Sequence, residues 1–187
     1  MTSAIEPPAG DEIHIWRVSL DEGGRQAART ALGDLLAAYL GTATAPGLHL
    51  DEGGKPRLAE APERLSFNLS HSGELALIAL APGEVEVGVD VERLRRRRDP
   101  ARLAARWLPP VDAAAVAAAA DRDREEVFHR AWTRHEARVK CTGTGLSGPP
   151  PADGIVARQL DVGPDYAAAV AFDLAAGREP RITLRDR

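Results

Sequence analysis

The stretch WTRHEARVKCTGTGL, from Trp132 to Leu146, decides how this chain is organised. It has the pattern of a helix that ends at glycines, and it places Trp132, Glu136 and Lys140 four residues apart. At 3.6 residues per turn, side chains at that spacing lie close to one face of a helix. A carboxylate and an ammonium group one turn apart are able to hold a metal ion and a phosphate together. The plainer interpretation is a surface ion pair worth about 0.3 kcal/mol.

A second motif is GVDVE, from Gly88 to Glu92, within a segment in which valine alternates with other residues. That alternation predicts a strand over residues 85–91. On a strand, Asp90 and Glu92 point to the same face. Two adjacent carboxylates repel each other unless a cation lies between them, and oxygen ligands suit a hard ion such as Mg²⁺. The alternative is an acidic pair on an edge strand that faces solvent.

A third motif lies in FNLSHSGELALIALA, where Ser70, His71 and Ser72 interrupt an apolar strand before a glycine. Gly73, directly after the three polar residues, indicates a tight turn into the next strand, LALIALA. A histidine flanked by hydroxyl groups at a turn is able to donate a hydrogen bond to a phosphate oxygen. A purely structural role for His71 is the alternative, because loops carry polar residues in any case.

The segment GGKPRL, from Gly53 to Leu58, places Lys55 directly after a glycine turn. A lysine in such a place is either a counter-charge for a phosphate group or a solvated surface residue.

In this order, the segments GGKPRL, FNLSHS, GVDVE and FHRAWTRHEARVKCTGTGL resemble the motifs of 4′-phosphopantetheinyl transferases of the Sfp type. The family pattern runs GKP, FNxSHS, GVDxE and WxxKEAxxKxxGxGL at similar separations, and the resemblance spans the chain from about Ile13 to Leu184. Such enzymes transfer the phosphopantetheine arm of coenzyme A to a serine of an acyl, peptidyl or aryl carrier protein and release 3′,5′-ADP.

The resemblance implies a role for each matching residue. The ligands of Mg²⁺, for which Mn²⁺ is an acceptable substitute, would be Asp90, Glu92 and Glu136. The catalytic residues would be Glu136, Lys140 and His71. Coenzyme A, the co-substrate, would be bound by Arg29, Lys55, Ser70, His71, Asp90, Glu136 and Lys140, with Arg29 and Lys55 near its 3′-phosphate.

The chain departs from the family pattern in three places. His135 stands where the pattern has lysine, Gly33 stands where it has a second helix arginine, and the segment before Ala28 is short. These departures leave a second function open, namely a coenzyme A-binding relative with weakened catalysis. A different metal-dependent phosphotransferase or hydrolase is a more distant alternative.

Hydrophobic periodicity predicts an α+β fold. Strands are expected at about 12–19, 66–70, 75–81, 85–91, 154–161, 165–173 and 181–185, and helices at 26–40, 100–107, 112–119 and 121–142. The resembled family implies two lobes related by a pseudo-twofold axis, each a long helix on a small, mainly antiparallel sheet, with the active site in the cleft. We therefore expect a disordered tail over 1–11, an N-terminal lobe over 12–98 and a C-terminal lobe over 99–187.

Composition restricts the partners. The formal net charge of −4 and the lack of aromatic residues among the basic ones argue against a nucleic-acid partner. The longest apolar run is far too short for a membrane span, and the single cysteine, Cys141, fits a reducing cytoplasm. The arginines of residues 93–106 form either a solvated face or a docking surface, near Arg93–Arg98, for an acidic carrier protein. We expect a cytoplasmic monomer.

Overall fold

The computed structural model describes residues 5–10, 12–20, 24–97, 99–146, 148, 154–174 and 179–187. The strands are β1 (Glu12–Ser19), β2 (Leu48–Leu50), β3 (Pro56–Leu58), β4 (Leu65–Ser72), β5 (Leu75–Pro82), β6 (Val87–Arg93), β7 (Ile155–Leu160), β8 (Tyr166–Asp173) and β9 (Arg181–Asp186). The helices are α1 (Gly24–Leu40), α2 (Pro100–Trp107), α3 (Pro110–Ala118) and α4 (Arg124–Thr142).

The strands form two main sheets. The first has the order β4-β5-β1-β9 and is antiparallel except where β9 runs parallel to β1. The second has the order β6-β8-β7 and is antiparallel throughout. A small hairpin of β2 and β3 stands apart from both sheets.

The two sheets lie face to face between two helices. Strand β5 shows why: Ile78 and Leu80 belong to the hydrophobic cluster shared with α1, while Leu77 and Ala79 belong to the cluster shared with β6 and β8. A strand that is covered on both faces carries a continuous apolar run instead of an alternating one. The order of layers is therefore α1, first sheet, second sheet, α4.

Helix α4 packs very closely on the outer face of the second sheet. The contact uses small residues, among them Ala137 and Cys141 of α4. A Cβ atom on Gly88 would lie 2.2 Å from the carbonyl oxygen of Ala137, so only glycine fits at that position of β6. The helix ends at Gly143, whose φ of 70° is left-handed and whose N–H bonds the carbonyl of Val139. We call this contact of Gly88 with the backbone of Ala137 and Cys141 the seat of α4; it fixes the distance between α4 and β6.

The α+β class is confirmed, some strand details differ from the sequence expectation, and the division into a tail and two lobes stays a prediction. The hairpin of β2 and β3 was not foreseen, and β4 continues to Ser72, two residues beyond its expected end. The tight turn predicted at Gly73 is present between β4 and β5. The boundary predicted between residues 98 and 99 does not separate the sheets, because β6 pairs with β8 and β9 returns to β1. The described part of the predicted tail is also packed: the N–H of Ile5 bonds the carbonyl of Ala38 at 3.4 Å. Residues 1–4 and 11 lie outside the described residues.

Within the described part of the chain, the structure contains no helix with the length and apolar character needed to cross a membrane.

Candidate active site

Side chains of β4 connect the two sheets at the site. Three of them, at alternate positions, accept hydrogen bonds from N–H groups of the edge strand β6: Val89 to Asn68 Oδ1 (3.0 Å), Val91 to Ser70 Oγ (3.3 Å) and Arg93 to Ser72 Oγ (3.0 Å). Because buried N–H groups need partners, these side chains take the place of a neighbouring strand. The period-two spacing in FNLSHS carries this signal, which the sequence interpretation missed.

Asp90 is the most buried carboxylate of the site, with 4% of its surface exposed. Its Oδ1 accepts from Ser70 Oγ at 2.8 Å and from Lys140 Nζ at 2.7 Å. Burial raises the pKa of Asp90, and the Lys140 ammonium opposes that rise. Its Oδ2 is buried without a hydrogen-bond partner among the described residues. One oxygen of this carboxylate is therefore still available to a ligand.

Glu136 lies on α4 one turn before Lys140, and both line a cavity of about 240 Å³. Burial raises the pKa of Glu136, and the negative charges of Asp90 and Glu92 add to the rise while Lys140 opposes it. The structure thus brings together Asp90 from the strand motif and Glu136 and Lys140 from the helix motif.

Glu92 turns partly away from this group. Its Oε2 accepts a hydrogen bond from Ser72 Oγ at 3.3 Å and lies 3.7 Å from Arg97 Nη2. Over the residues that the structure describes, no three His, Cys, Asp or Glu side chains are arranged as a group able to hold a metal ion. The donor chemistry nevertheless fits a hard cation, because the donors are carboxylate oxygens and Asp90 Oδ2 has no other partner. The sequence interpretation placed Arg97 in the arginine run near Arg93–Arg98 and did not foresee its approach to Glu92.

His71 and Arg29 lie away from Asp90. Alternation along β4 places His71 on the opposite face from Ser70, the face whose Phe67 and Leu69 pack with α1. Arg29 is exposed on α1 and lines a second cavity of about 510 Å³. The two cavities adjoin, since Pro56, Asn68 and Leu69 line both. The cavity lined by Lys140 and the cavity lined by Arg29 are therefore neighbours along β4.

Lys55 does not offer its ammonium group to a ligand, contrary to the sequence expectation. The residue lines the smaller cavity, but its side chain is only 2% exposed. Its Nζ donates to Glu86 Oε2 at 2.6 Å and to the carbonyls of Val87 and Cys141 at 2.9 Å each. The local sequence, a lysine after a glycine turn, gave no sign of this burial.

Other residues of the helix motif are structural. Trp132 stacks on Phe128 with ring centroids 5.8 Å apart and belongs to the cluster under α2 and α3. Cys141 is fully buried, and burial raises the pKa of its thiol to about 12, so it is a packing residue and not a nucleophile. His135 is half-buried, and burial followed by the charge of Arg138 lowers its pKa.

Comparison with known proteins agrees with this geometry. Residues 86–179 match the family model of the 4′-phosphopantetheinyl transferase superfamily. The chain is 32% identical to the 4′-phosphopantetheinyl transferase HetI of Nostoc sp. (strain PCC 7120), over 73% of this chain and 71% of HetI. It is 41% identical to the 4′-phosphopantetheinyl transferase AcpT of Escherichia coli (strain K12), over 52% of this chain and 49% of AcpT.

The chain therefore belongs to the 4′-phosphopantetheinyl transferase superfamily, as the sequence motifs indicated, while the Sfp type stays a prediction. The match to AcpT spans about half of that relative's length.

Proposed function

We propose that this chain transfers the 4′-phosphopantetheine arm of coenzyme A to a serine of an apo carrier protein and releases 3′,5′-ADP. The observation that carries the proposal is that Glu136 and Lys140 line one cavity and that Lys140 bonds Asp90 at 2.7 Å, although 50 residues separate Asp90 from Lys140. A binding protein without catalysis has no need of a proton acceptor and an ammonium group side by side, so the weakened relative is not favoured.

In this proposal the chain's own residues supply a proton acceptor and a positive charge. The serine Oγ of the carrier attacks the β-phosphorus of coenzyme A, its bond to phosphorus forms, and the bond to the 3′,5′-ADP oxygen breaks. Glu136 accepts the serine proton, and its raised pKa makes it a better base than an ordinary glutamate. Lys140 has three protons and already contacts Asp90 and Ser70 from the edge of the cavity, where it is able to neutralise charge on the diphosphate.

We further propose that the site uses Mg²⁺, held by Asp90, Glu92 and Glu136, with Mn²⁺ as a substitute. A divalent cation at these carboxylates would supply Lewis-acid and template chemistry for phosphoryl transfer. The Oδ2 of Asp90, which has no hydrogen-bond partner among the described residues, and the effect of the Asp90 and Glu92 charges on the pKa of Glu136 support this assignment.

The end of coenzyme A that carries the 3′-phosphate is assigned to the neighbouring cavity of about 510 Å³. Arg29 is exposed there, so its guanidinium is available to the 3′-phosphate. His71, on the α1 side of β4, remains a proposed phosphate contact at that end, whereas Ser70 acts through Asp90 and Lys140. Lys55 is not assigned a direct contact with coenzyme A, because its ammonium group is buried.

The partner is proposed to be an acidic acyl or peptidyl carrier protein that docks near Arg93–Arg98. Arg93, Arg95 and Arg96 are exposed, and Arg97 is partly buried; Arg98 lies outside the described residues. We also propose an enzyme of the Sfp type with two pseudo-twofold-related halves, acting as a cytoplasmic monomer. The helix-on-sheet arrangement of each half and the single cysteine support these finer assignments.

The direct test is intact-mass spectrometry of apo carrier proteins incubated with the chain, coenzyme A and Mg²⁺. We expect the mass of one phosphopantetheine to appear on a carrier serine, and 3′,5′-ADP to appear in equal amount. The matched control is Glu136→Gln, which should form product at least about 100-fold more slowly. Transfer at the wild-type rate by that variant would remove Glu136 from the mechanism, and no transfer to any carrier by the wild type would refute the function.

A further inference from the structure

The chain has only two lysines, Lys55 and Lys140, among 24 basic residues. Lys140 has a place in the proposed chemistry. Lys55 has none, yet a buried cation is costly to fold and does not persist without a compensating role.

The hydrogen-bond capacity of Lys55 is fully used inside the protein. An ammonium group has three protons, and Glu86, the Val87 carbonyl and the Cys141 carbonyl accept them at 2.6, 2.9 and 2.9 Å. Glu86 is shared with Arg57, whose Nη1 lies 2.6 Å from Oε1. Burial would raise the pKa of Glu86, but the bonds from Arg57 and Lys55 outweigh it and lower that pKa, so the acceptor stays ionised.

The two carbonyl acceptors belong to the two elements that carry the site. Cys141 lies in the last turn of α4, where carbonyl groups lack partners within the helix and the dipole favours a cation. Val87 is the first residue of β6, three residues before Asp90. One ammonium group therefore joins the start of the carboxylate strand to the end of the catalytic helix.

The backbone around Lys55 is fixed as well. Its N–H bonds Asp51 Oδ1 at 2.9 Å, and the N–H of Asp51 bonds the Lys55 carbonyl at 3.0 Å. A Cβ on Gly53 would lie 2.2 Å from the carbonyl oxygen of Gly143, so this turn rests directly on the end of α4. The backbone of Lys55 is therefore fixed by Asp51 and by the contact of the turn with the end of α4.

We infer that Lys55 is a positioning residue, a clamp that fixes β6 relative to α4 and so sets the separation of Asp90 from Glu136 and Lys140. The functional meaning of that separation rests on the proposed function, whereas the clamp itself rests on the contacts. The competing role is direct binding of the coenzyme A phosphates.

The first test needs no variant. The wild-type protein is reductively methylated with formaldehyde and a borohydride reagent, with and without coenzyme A, and the two lysine peptides are quantified by mass spectrometry. We expect Lys55 to react at least about tenfold more slowly than in the guanidinium-unfolded chain, with or without coenzyme A. Lys140, whose side chain is 29% exposed, should react and be protected by coenzyme A. Rapid methylation of Lys55 in the folded protein would overturn the clamp, and failure of coenzyme A to protect Lys140 would count against the proposed function alone.

The second test compares Lys55→Met with Arg57→Met. Both variants take a cation from Glu86, but only the first leaves the Val87 and Cys141 carbonyls unpartnered. For Lys55→Met we expect a Tm lower by about 6–12 °C and Mn²⁺ binding, followed by electron paramagnetic resonance, about tenfold weaker. Arg57→Met should keep Mn²⁺ binding within about threefold of wild type. A Lys55→Met protein with unchanged Tm and Mn²⁺ affinity but a raised KM for coenzyme A would assign Lys55 to substrate binding instead.

Discussion

Gly88→Ala tests the seat of α4 on β6, on which the geometry of the whole site depends. The added Cβ would lie 2.2 Å from the Ala137 carbonyl oxygen and 2.4 Å from the Cys141 nitrogen, and ordinary contacts begin near 3.4 Å. Both obstacles are backbone atoms, which have no rotamer with which to move aside. The helix must therefore withdraw from the strand by about 1 Å.

The energetic cost follows from that displacement. Overpacking of a core costs about 1–3 kcal/mol, and the rigidity of the opposing backbone places this case at about 3 kcal/mol. For a chain of this length, that cost lowers the Tm by about 6–12 °C. Because Glu136 flanks Ala137 and Lys140 flanks Cys141, a shift of 1 Å should also lower kcat/KM by about 100-fold.

Differential scanning calorimetry and the initial rate of holo-carrier formation measure the two effects. Gly47→Ala is the matched control, since its Cβ would meet only the Ala59 Cβ at 3.5 Å and the backbone there is not left-handed. It should change stability by less than about 0.5 kcal/mol. A Gly88→Ala protein with the Tm and turnover of wild type would refute the close seat of α4 and the role given to it.

Three further predictions test other parts of the molecule. Glu136→Gln should lower kcat by about 10²–10⁴ without lowering the Tm, because it removes a base and relieves repulsion with Asp90 and Glu92. The control is Glu126→Gln, a change at an exposed residue of the same helix. A folded Glu136→Gln enzyme of normal kcat would exclude Glu136 as the base. Arg29→Gln should raise the KM for coenzyme A about tenfold at constant kcat. With dephospho-coenzyme A, the variant and the wild type should have the same KM. A raised KM that persists with dephospho-coenzyme A would show that Arg29 does not bind the 3′-phosphate. Burial, and then the charge of Arg185, lowers the pKa of His14 from 6.5 to about 4, so the stability due to neutral His14 is complete above pH 6.5 and is lost as the pH falls towards 4. Denaturant titrations should show the advantage of wild type over His14→Gln shrinking by about 3 kcal/mol between pH 7 and pH 4, and a constant difference would contradict the assignment.

The sequence predicts the elements of this fold well because each long helix and strand carries its own periodicity. The segment LALIALA, for example, becomes almost all of β5, and the last five residues of VEVGVDV become the first five of β6. Non-local features are harder to foresee. The return of β9 to lie parallel with β1 joins residues almost a whole chain apart, and nothing in RITLRD specifies that neighbour. The three-residue strands β2 and β3 are too short to show a period.

In the site, likewise, local spacing was predictable from the sequence and contacts between elements were not. Spacing alone places Glu136 and Lys140 on one helix face and Asp90 and Glu92 on one strand face. It does not show that Ser70 hydrogen-bonds both Asp90 and Lys140, or that Arg97 approaches Glu92. Those contacts depend on how two sheets meet at β4 and β6, and that meeting is a property of the packed structure.

The two lysines show why a motif does not separate a binding residue from a positioning one. Both lie beside glycines, Lys55 after a glycine turn and Lys140 before a glycine helix end, and both match the motifs of the same family. The ammonium of Lys140 meets Asp90 and Ser70 at the edge of a cavity and remains partly exposed, whereas that of Lys55 has a protein acceptor for every proton. A phosphate group is able to accept a hydrogen bond from the first without displacing its partners, because the ammonium has three protons and Asp90 and Ser70 accept two of them. It would displace those of the second only by leaving buried carbonyls unpaired, at a cost of about 1–3 kcal/mol each. What distinguishes the two residues is therefore the free energy of their existing contacts, which the sequence does not record.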